Sequence, residues 1–370
     1  MRKSIMFFEN LNNSQHLYEN LQRSKGIENK QLIYLDSNPA SFYHSKLYRY
    51  KDKIEKITKI GIVNFLVYLF TKKTIVVSGS PGSYHRKISK NIILLNHGWG
   101  TKSTPGNNEI KNENIMNNYR NTLKSLKYII CLSDFDSTYY LKHQYLNQEV
   151  QPIFIPLGSP RNDFLIKNQK NRKLINDLEK ELKLNKSKKK IILFSPTHRD
   201  DPVKNEIYLN SILEEFHKID DQLDKKDIVI LFRPHYYSKS IKIKTEVFKN
   251  IKYVGFDEYK DVRPLMIFSD CLMTDYSSIF VDYLLIDKPI IFYVPDLKEY
   301  SEYRGLVIDY SNGIHTPGPK IEDLSDLLEV NEESFYHYNL HESKHFFHKY
   351  TDDKSTERIS QFIEDEFNKI

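Results

Sequence analysis

The sequence predicts an α/β protein of two domains, each built around a parallel sheet. Apolar runs of strand length alternate with longer helical stretches from one end of the chain to the other. The alternation occurs twice, and the charged stretch between the two series is poor in core-forming residues. At 370 residues the chain exceeds one ordinary core and suits two domains of about 150–200 residues each.

In the first series, residues 4–8, 31–35, 74–77, 91–95, 128–132 and 152–156 read as strands. Residues 14–22, 113–126 and 136–145 between them read as helices. A second series starts at 190–194 and continues through 228–232, 251–254, 271–273, 289–294 and 306–308. Short buried strands alternating with helices imply parallel sheets covered on both faces. The expected organisation is an N-terminal domain over 1–165, a linker over 166–189, a C-terminal domain over 190–340 and C-terminal helices over 341–370. The linker ends in Lys186-Ser187-Lys188-Lys189-Lys190, and the tail offers Phe346, Phe347, Ile359 and Phe362 for docking.

Composition narrows the function classes. Hydrophobic residues make up 39% and charged residues 28%, so the chain buries a core. Two cysteines, Cys131 and Cys271, both in apolar runs, argue against a disulfide scaffold and fit a reducing cytosol. The opening residues 4–8 are too short an apolar stretch for a signal peptide. The longest apolar run, 61–70, is half of the roughly 20 residues that a spanning helix needs. The net charge of +6 is matched by residues 43–73 alone, where eight basic residues face Asp52 and Glu55. Tyr43, Tyr48 and Tyr50 share that stretch, and basic, aromatic and apolar residues together suit an anionic membrane surface. A solvated helix followed by a buried one is the alternative. Nucleic acid is not an expected partner, because no recognised module accompanies the charge.

Open parallel sheets hold ligands at strand carboxyl ends, and the polar motifs cluster there. Asn96-His97-Gly98-Trp99-Gly100-Thr101-Lys102 follows the strand at 91–95, with His97 the candidate base. Gly158-Ser159-Pro160-Arg161-Asn162-Asp163 follows 152–156. Ser195-Pro196-Thr197-His198-Arg199-Asp200-Asp201 follows 190–194; Thr197 can cap a helix or bind an anion, and Arg199 offers a donor fork for phosphate unless Asp200 and Asp201 tie it down in a structural pair. Arg233-Pro234-His235 follows 228–232 and suits an anionic ligand. Thr274-Asp275-Tyr276-Ser277-Ser278 follows 271–273 and opens a helix whose start can bind an anion, with Asp282 one turn further in. GxGxxG, Walker A, HExxH and GxSxG patterns are absent. Asp134-Phe135-Asp136 reads as a helix cap rather than a metal motif, so neither a metal nor a cofactor is expected.

The Thr274–Ser278 motif continues through Phe280, Asp282-Tyr283, Asp287-Lys288-Pro289, Tyr293-Val294-Pro295-Asp296, Arg304-Gly305 and Asp309-Tyr310. That block resembles the signature of the CDP-glycerol glycerophosphotransferases, the teichoic-acid primases and polymerases. Gly158-x-Pro160-Arg161-Asn162-Asp163, Ser195-Pro196-Thr197-x-Arg199-Asp200 and Arg233-Pro234-His235 fall where the family carries its other motifs. One departure is Trp99-Gly100-Thr101, where the family usually reads threonine-proline-leucine. The resemblance implies a GT-B-like fold of two facing Rossmann-like domains, with a CDP-alditol such as CDP-glycerol in the cleft. It implies His97 and His235 as catalytic residues, Arg233, Ser277 and Ser278 on the diphosphate, and Asp282 near the nucleotide. Lys102, Arg161, Thr197, Arg199 and Thr274 are expected as further substrate contacts.

The expected reaction is in-line transfer of an alditol phosphate to a hydroxyl, with CMP leaving. The expected acceptor is a prenyl-diphosphate-linked saccharide or a growing polymer at the inner face of the cell membrane. A GT-B glycosyltransferase using a nucleotide sugar and a silent lipid- or polymer-binding subunit are the alternatives.

Overall fold

A computed structural model describes residues 3–8, 13–24, 26–27, 32–35, 73–78, 89, 91–95, 100–103, 105–136, 152–235, 245 and 247–370. The chain separates into two compact units. One comprises Met1–Trp99, Asn108–Asp163 and His348–Ile370; the other comprises Gly100–Asn107 and Phe164–Phe347.

The first unit holds β1 (Lys3–Phe8), α1 (Asn13–Arg23), β2 (Leu32–Leu35), β3 (Lys73–Ser78), β4 (Asn91–Leu94), α2 (Glu113–Ser125), β5 (Leu126–Cys131) and β6 (Ile153–Pro156). These strands form one sheet in the order β2-β1-β3-β4-β5-β6, every pair parallel. Ile5, Met6 and Phe7 are all buried, as expected of a strand covered on both faces. Leu17 and Leu21, four apart on α1, join Ile5 and Phe7 in the core.

The C-terminal helix completes that core. It contributes Ile359, Ile363 and Phe367, spaced four apart. Its start is capped by Asp163, whose carboxylate accepts from the amides of Ser355 (2.9 Å) and Thr356 (2.8 Å).

The second unit begins with the 100–107 segment and resumes at Phe164, one residue into α3 (Asp163–Asn168). It continues through α4 (Arg172–Leu182), β7 (Lys190–Ser195), α5 (Pro202–Lys225), β8 (Ile228–Phe232), β9 (Ile251–Tyr253), α6 (Arg263–Phe268), β10 (Cys271–Thr274), α7 (Ile279–Tyr283), β11 (Ile290–Tyr293), α8 (Leu297–Arg304), β12 (Lys320–Ile321) and α9 (Leu340–Phe347). The first unit's terminal helix is then α10 (Ser355–Lys369). The second sheet runs β12-β11-β10-β7-β8-β9, again all parallel. The helix α5 starts cleanly: Pro202 follows Asp201, whose side chain accepts from Val203 and Lys204 amides. It buries Tyr208, Leu209, Ile212, Phe216, Ile219 and Leu223 at helical spacing. Phe216 meets Phe194 and Phe232 edge-on or nearly so, with centroids 6.2 and 5.2 Å away.

Several expectations are met and several are redrawn. The α/β class and the two parallel sheets hold. The sixth strand of the second sheet is Lys320–Ile321 and not 306–308. Leu306 instead forms an antiparallel bridge with Lys102. Gly318 lets the chain come alongside β11, since a Cβ there would lie 1.9 Å from the Ile290 carbonyl oxygen. The 166–189 stretch, expected as a linker, carries α4, which buries Leu178 and Leu182. The expected tail divides: α9 stays in the second unit, with Phe347 against Phe280. Of the helix expected at 136–145, residues 137–145 lie outside the described residues, as do 43–72 of the basic stretch and His97.

Candidate active site

Asp275 organises the strand ends of the second unit. It follows β10 and is fully buried, which obliges its carboxylate to find partners. One oxygen accepts from the Thr197 amide (2.7 Å) and the Tyr276 amide (2.6 Å). The other accepts from Arg199 Nη1 (3.0 Å) and the Tyr208 hydroxyl (3.0 Å). The loop after β7 is thereby locked to the loop after β10.

Arg199 was expected to offer its fork to phosphate. In the structure that fork is closed. Nε and Nη2 form a bidentate pair with Asp296 at 3.0 and 2.9 Å, and Nη1 also donates to the Thr197 carbonyl at 2.8 Å. Its guanidinium lies over Tyr208 at 3.7 Å, and Tyr276 stacks on Tyr300 at 4.0 Å beside it. Burial opposes the charge, but Tyr208, Asp275 and Asp296 outweigh it and hold Arg199 protonated. Arg199 therefore ties the loop after β7 to Asp275 and Asp296.

This scaffold presents a nitrogen-rich surface. His198 stacks on His235 with centroids 5.8 Å apart and planes 28° from parallel. Burial pushes His235 down to about 4, reinforced by the charges of Lys102, His198 and Arg233. Burial likewise lowers His198. Lys102 falls to about 8 through burial and the neighbouring Arg304. Arg233, 8% exposed, donates from its amide to the Phe194 carbonyl (2.8 Å) and from Nη1 to the Val254 carbonyl (2.7 Å). Burial brings it down to about 10, against the pull of Asp261, Tyr253 and Asp257. The Thr197 hydroxyl is buried without a hydrogen-bond partner in the protein. Depressed cations, neutral imidazoles and an unused hydroxyl are the donor set an incoming anion would engage.

The structure thus brings Lys102, Thr197, Arg233 and His235 together, and adds His198, which is not among the residues expected from sequence. The signal was present: His198 lies in the same strand-end motif as Thr197. Asp275 was within a noted motif without a role, whereas nothing local marks Tyr208. The Thr274 hydroxyl donates to the Ser195 carbonyl across β7 and β10 at 2.7 Å. Ser277 Oγ accepts weakly from the Ile279 amide at 3.4 Å, and Ser278 precedes α7, which has only five residues. Asp282 is 8% exposed on that helix.

Arg161 belongs to the first unit, where Pro160–Asn162 form a single 3-10 turn. The Arg161 amide donates to Asn13 Oδ1 at 3.0 Å. Gly158 adopts φ +92°, and a Cβ would lie 2.4 Å from Ser355 Oγ. Asp136 acts as the expected cap: its Oδ2 accepts from the amides of Leu132 (2.8 Å) and Ser133 (3.3 Å), and burial lifts it to about 7. Among the described residues, no three His, Cys, Asp or Glu side chains group as metal ligands. A cavity of about 410 Å³ lies on the Arg199–Asp296 side of the scaffold, lined by Ile207, Tyr208, Tyr300, Tyr303 and Arg304; neither His198 nor His235 lines it.

Two parallel sheets with polar residues gathered at strand carboxyl ends define a GT-B-like α/β protein, with its anion-suited donors on the second unit. The chain belongs to the CDP-Glycerol:Poly(glycerophosphate) glycerophosphotransferase family, whose model matches residues 2–365. It is 34% identical to the teichoic acid poly(glycerol phosphate) polymerase of Bacillus spizizenii over 58% of this chain and 50% of that one. The chain thus spans half the length of that relative. It is 25% identical to the teichoic acid glycerol-phosphate transferase of Staphylococcus aureus over 94% of this chain and 96% of that one. The solved structure of the wall teichoic acid polymerase TagF superposes with a TM-score of 0.68 at 20% identity, covering 99% of this chain and 89% of the other. The resemblance noted in the sequence therefore holds.

Proposed function

We propose that this protein transfers glycerol phosphate, or a related alditol phosphate, from a CDP-alditol to a hydroxyl of a growing teichoic-acid-type acceptor. The acceptor oxygen attacks the phosphorus that bears the alditol, the bond from that phosphorus to the bridging oxygen breaks, and CMP leaves. The acceptor proton passes to a base, for which His97 is the candidate. The observation that carries the reading is the convergence of Lys102, Arg233 and the His198–His235 pair beside the Asp275-locked loops of a chain in this family.

Transfer of this kind demands positioning and charge stabilisation more than covalent help. Lys102 and Arg233 would balance the diphosphate charge. His235, neutral at pH 7, would donate an N–H hydrogen bond to it, and the Thr197 hydroxyl would gain the partner it lacks in the protein. Ser277, Ser278 and Asp282 remain candidates for the diphosphate and the nucleotide.

The decisive experiment measures CMP release from CDP-glycerol and CDP-ribitol, with UDP release from UDP-sugars as the comparison. CMP release that depends on an acceptor and on His235 is expected. Exclusive use of a UDP-sugar would refute the reading.

The acceptor is read as a prenyl-diphosphate-linked saccharide or polymer at the inner membrane face, with the basic stretch 43–73 as the contact with anionic lipid. Among the described residues no helix is long and apolar enough to cross a membrane. Reversing the charge of Lys51, Lys53, Lys56 and Lys59 should abolish co-sedimentation with anionic liposomes; unchanged binding would dispose of this role.

A further inference from the structure

We propose that Gly305 and Asn107 are positioning residues, clasping the 100–107 segment to the end of α8 and so holding the Lys102 side chain at the His198–His235 site. This rests on the reading of that site as the one that takes a CDP-alditol.

The segment arrives as a short extended strip. Lys102 and Leu306 form an antiparallel bridge outside either sheet. The Ser103 amide donates to the Gly305 carbonyl at 3.0 Å, the Val307 amide to the Thr101 carbonyl at 3.1 Å, and the Asn107 amide to the Arg304 carbonyl at 3.1 Å. Arg304 Nη1 donates to the Ser103 carbonyl at 2.7 Å. On the other side, the Thr101 hydroxyl donates to the Tyr276 carbonyl at 3.0 Å, next to Asp275. Thr101 and Ser103 are buried at 1% and 7% exposure. Side chains alternate along extended backbone, so pinning residues 101 and 103 sets the direction of Lys102 between them.

Two residues make this approach possible. A helix ends with carbonyls that lack partners. The Asn107 side chain supplies a donor to one of them in α8, Glu302 at 3.2 Å, and also reaches the Ser301 carbonyl at 3.3 Å, which accepts from the Gly305 amide at 3.0 Å. Gly305 then turns the chain with φ +82°, a conformation that residues with a Cβ adopt only under strain. The space matters as well. A Cβ at Gly305 would lie 2.7 Å from Ser103 Oγ, 2.9 Å from Asn107 Oδ1 and 3.0 Å from Ser103 Cβ. A side chain there would press on Ser103, next to Lys102, and on Asn107, and so strain the strip that carries Lys102. With the strip displaced, the ammonium would regain water and lose the proximity of Arg304, and its pKa would climb from about 8 toward 10.5.

The test reads Lys102 directly and then reads turnover. Lysines of the full chain are reductively methylated with carbon-13, Lys102 is assigned through Lys102→Arg, and its titration is followed by NMR. In Gly305→Ala the Lys102 signal is expected to titrate at least one pH unit higher than in the parent. The kcat for CDP-glycerol is expected to fall roughly 10- to 100-fold, the scale of a 1 Å misplacement. Asn107→Ala adds no backbone strain and should shift both readouts the same way by a smaller amount. An unshifted Lys102 titration in the folded variants overturns the clasp, and a shifted titration with unchanged kcat overturns its positioning role. Should Gly305→Ala fail to fold, Asn107→Ala decides by the same criteria. A shifted titration in a protein that never consumes CDP-glycerol upholds the clasp and refutes the functional reading instead.

Discussion

The imidazole of His198 lies over that of His235, 5.8 Å between centroids, on two loops that both follow strands of the second sheet. The pair is partly withdrawn from water and lies among Lys102, Arg199 and Arg233, so each ring is easier to keep neutral than to charge. His198→Ala removes one of the charges that depress His235. The His235 resonance should then titrate above its value of about 4, toward the ordinary 6.5, when followed by NMR. An unmoved titration would show that the two rings do not sense each other.

The same depression makes stability depend on pH. His235 binds its proton at about 4 when folded and near 6.5 when unfolded. Above pH 6.5 both states are neutral and nothing is lost. As pH falls from 6.5 to 4 the unfolded chain takes up the proton first, and stability drops by at most about 3 kcal/mol from this group. Urea melts of the parent and His235→Gln at pH 7 and pH 4.5 should differ in this sense, with the smaller pH loss in the variant.

Lys102, at about 8, should appear as a basic limb in the rate profile. Its charge serves the diphosphate, so kcat/KM should fall as pH rises through 8. Bound diphosphate favours the ammonium, so the limb in kcat should lie higher. Lys102→Met should lower kcat/KM by about 10²-fold and flatten that limb.

Asp275 holds both loops through four hydrogen bonds at full burial. Asp275→Asn leaves Arg199 with half of its counter-charge in a dry setting. A loss of about 3–5 kcal/mol is expected, read as a fall in the melting midpoint. Arg199→Lys should not be tolerated better, because one ammonium cannot span both Asp275 and Asp296.

Thr197 separates stability from function. Its hydroxyl is buried without a partner, so Thr197→Val removes an unsatisfied group while nearly conserving shape. The variant should be unchanged or about 1 kcal/mol more stable, yet show a KM for CDP-glycerol raised roughly 3- to 10-fold. A stable variant with the parent KM would remove Thr197 from the binding set.

What could be read from the chain by itself was whatever depends on near neighbours. Strand-length runs such as 228–232 and the Asp201-Pro202 start of α5 are local signals, because periodicity and capping involve residues a few positions apart. Strand-end placement of Thr197, Arg233 and His235 followed from the same alternation. Partnerships across long separations were decided by the tertiary structure. Arg199 meets Asp275 76 residues on and Asp296 97 residues on, so its fork closes on carboxylates instead of remaining open for phosphate. The nearer acids, Asp200 and Asp201, turn elsewhere, to Arg304 and to the start of α5. Residues 306–308 are apolar enough for a strand, but the 101–103 strip reached them from about 200 positions upstream and paired with them outside the sheet. Periodicity ranks what a segment can do next to its own neighbours; only packing determines which distant backbone or charge arrives to satisfy it.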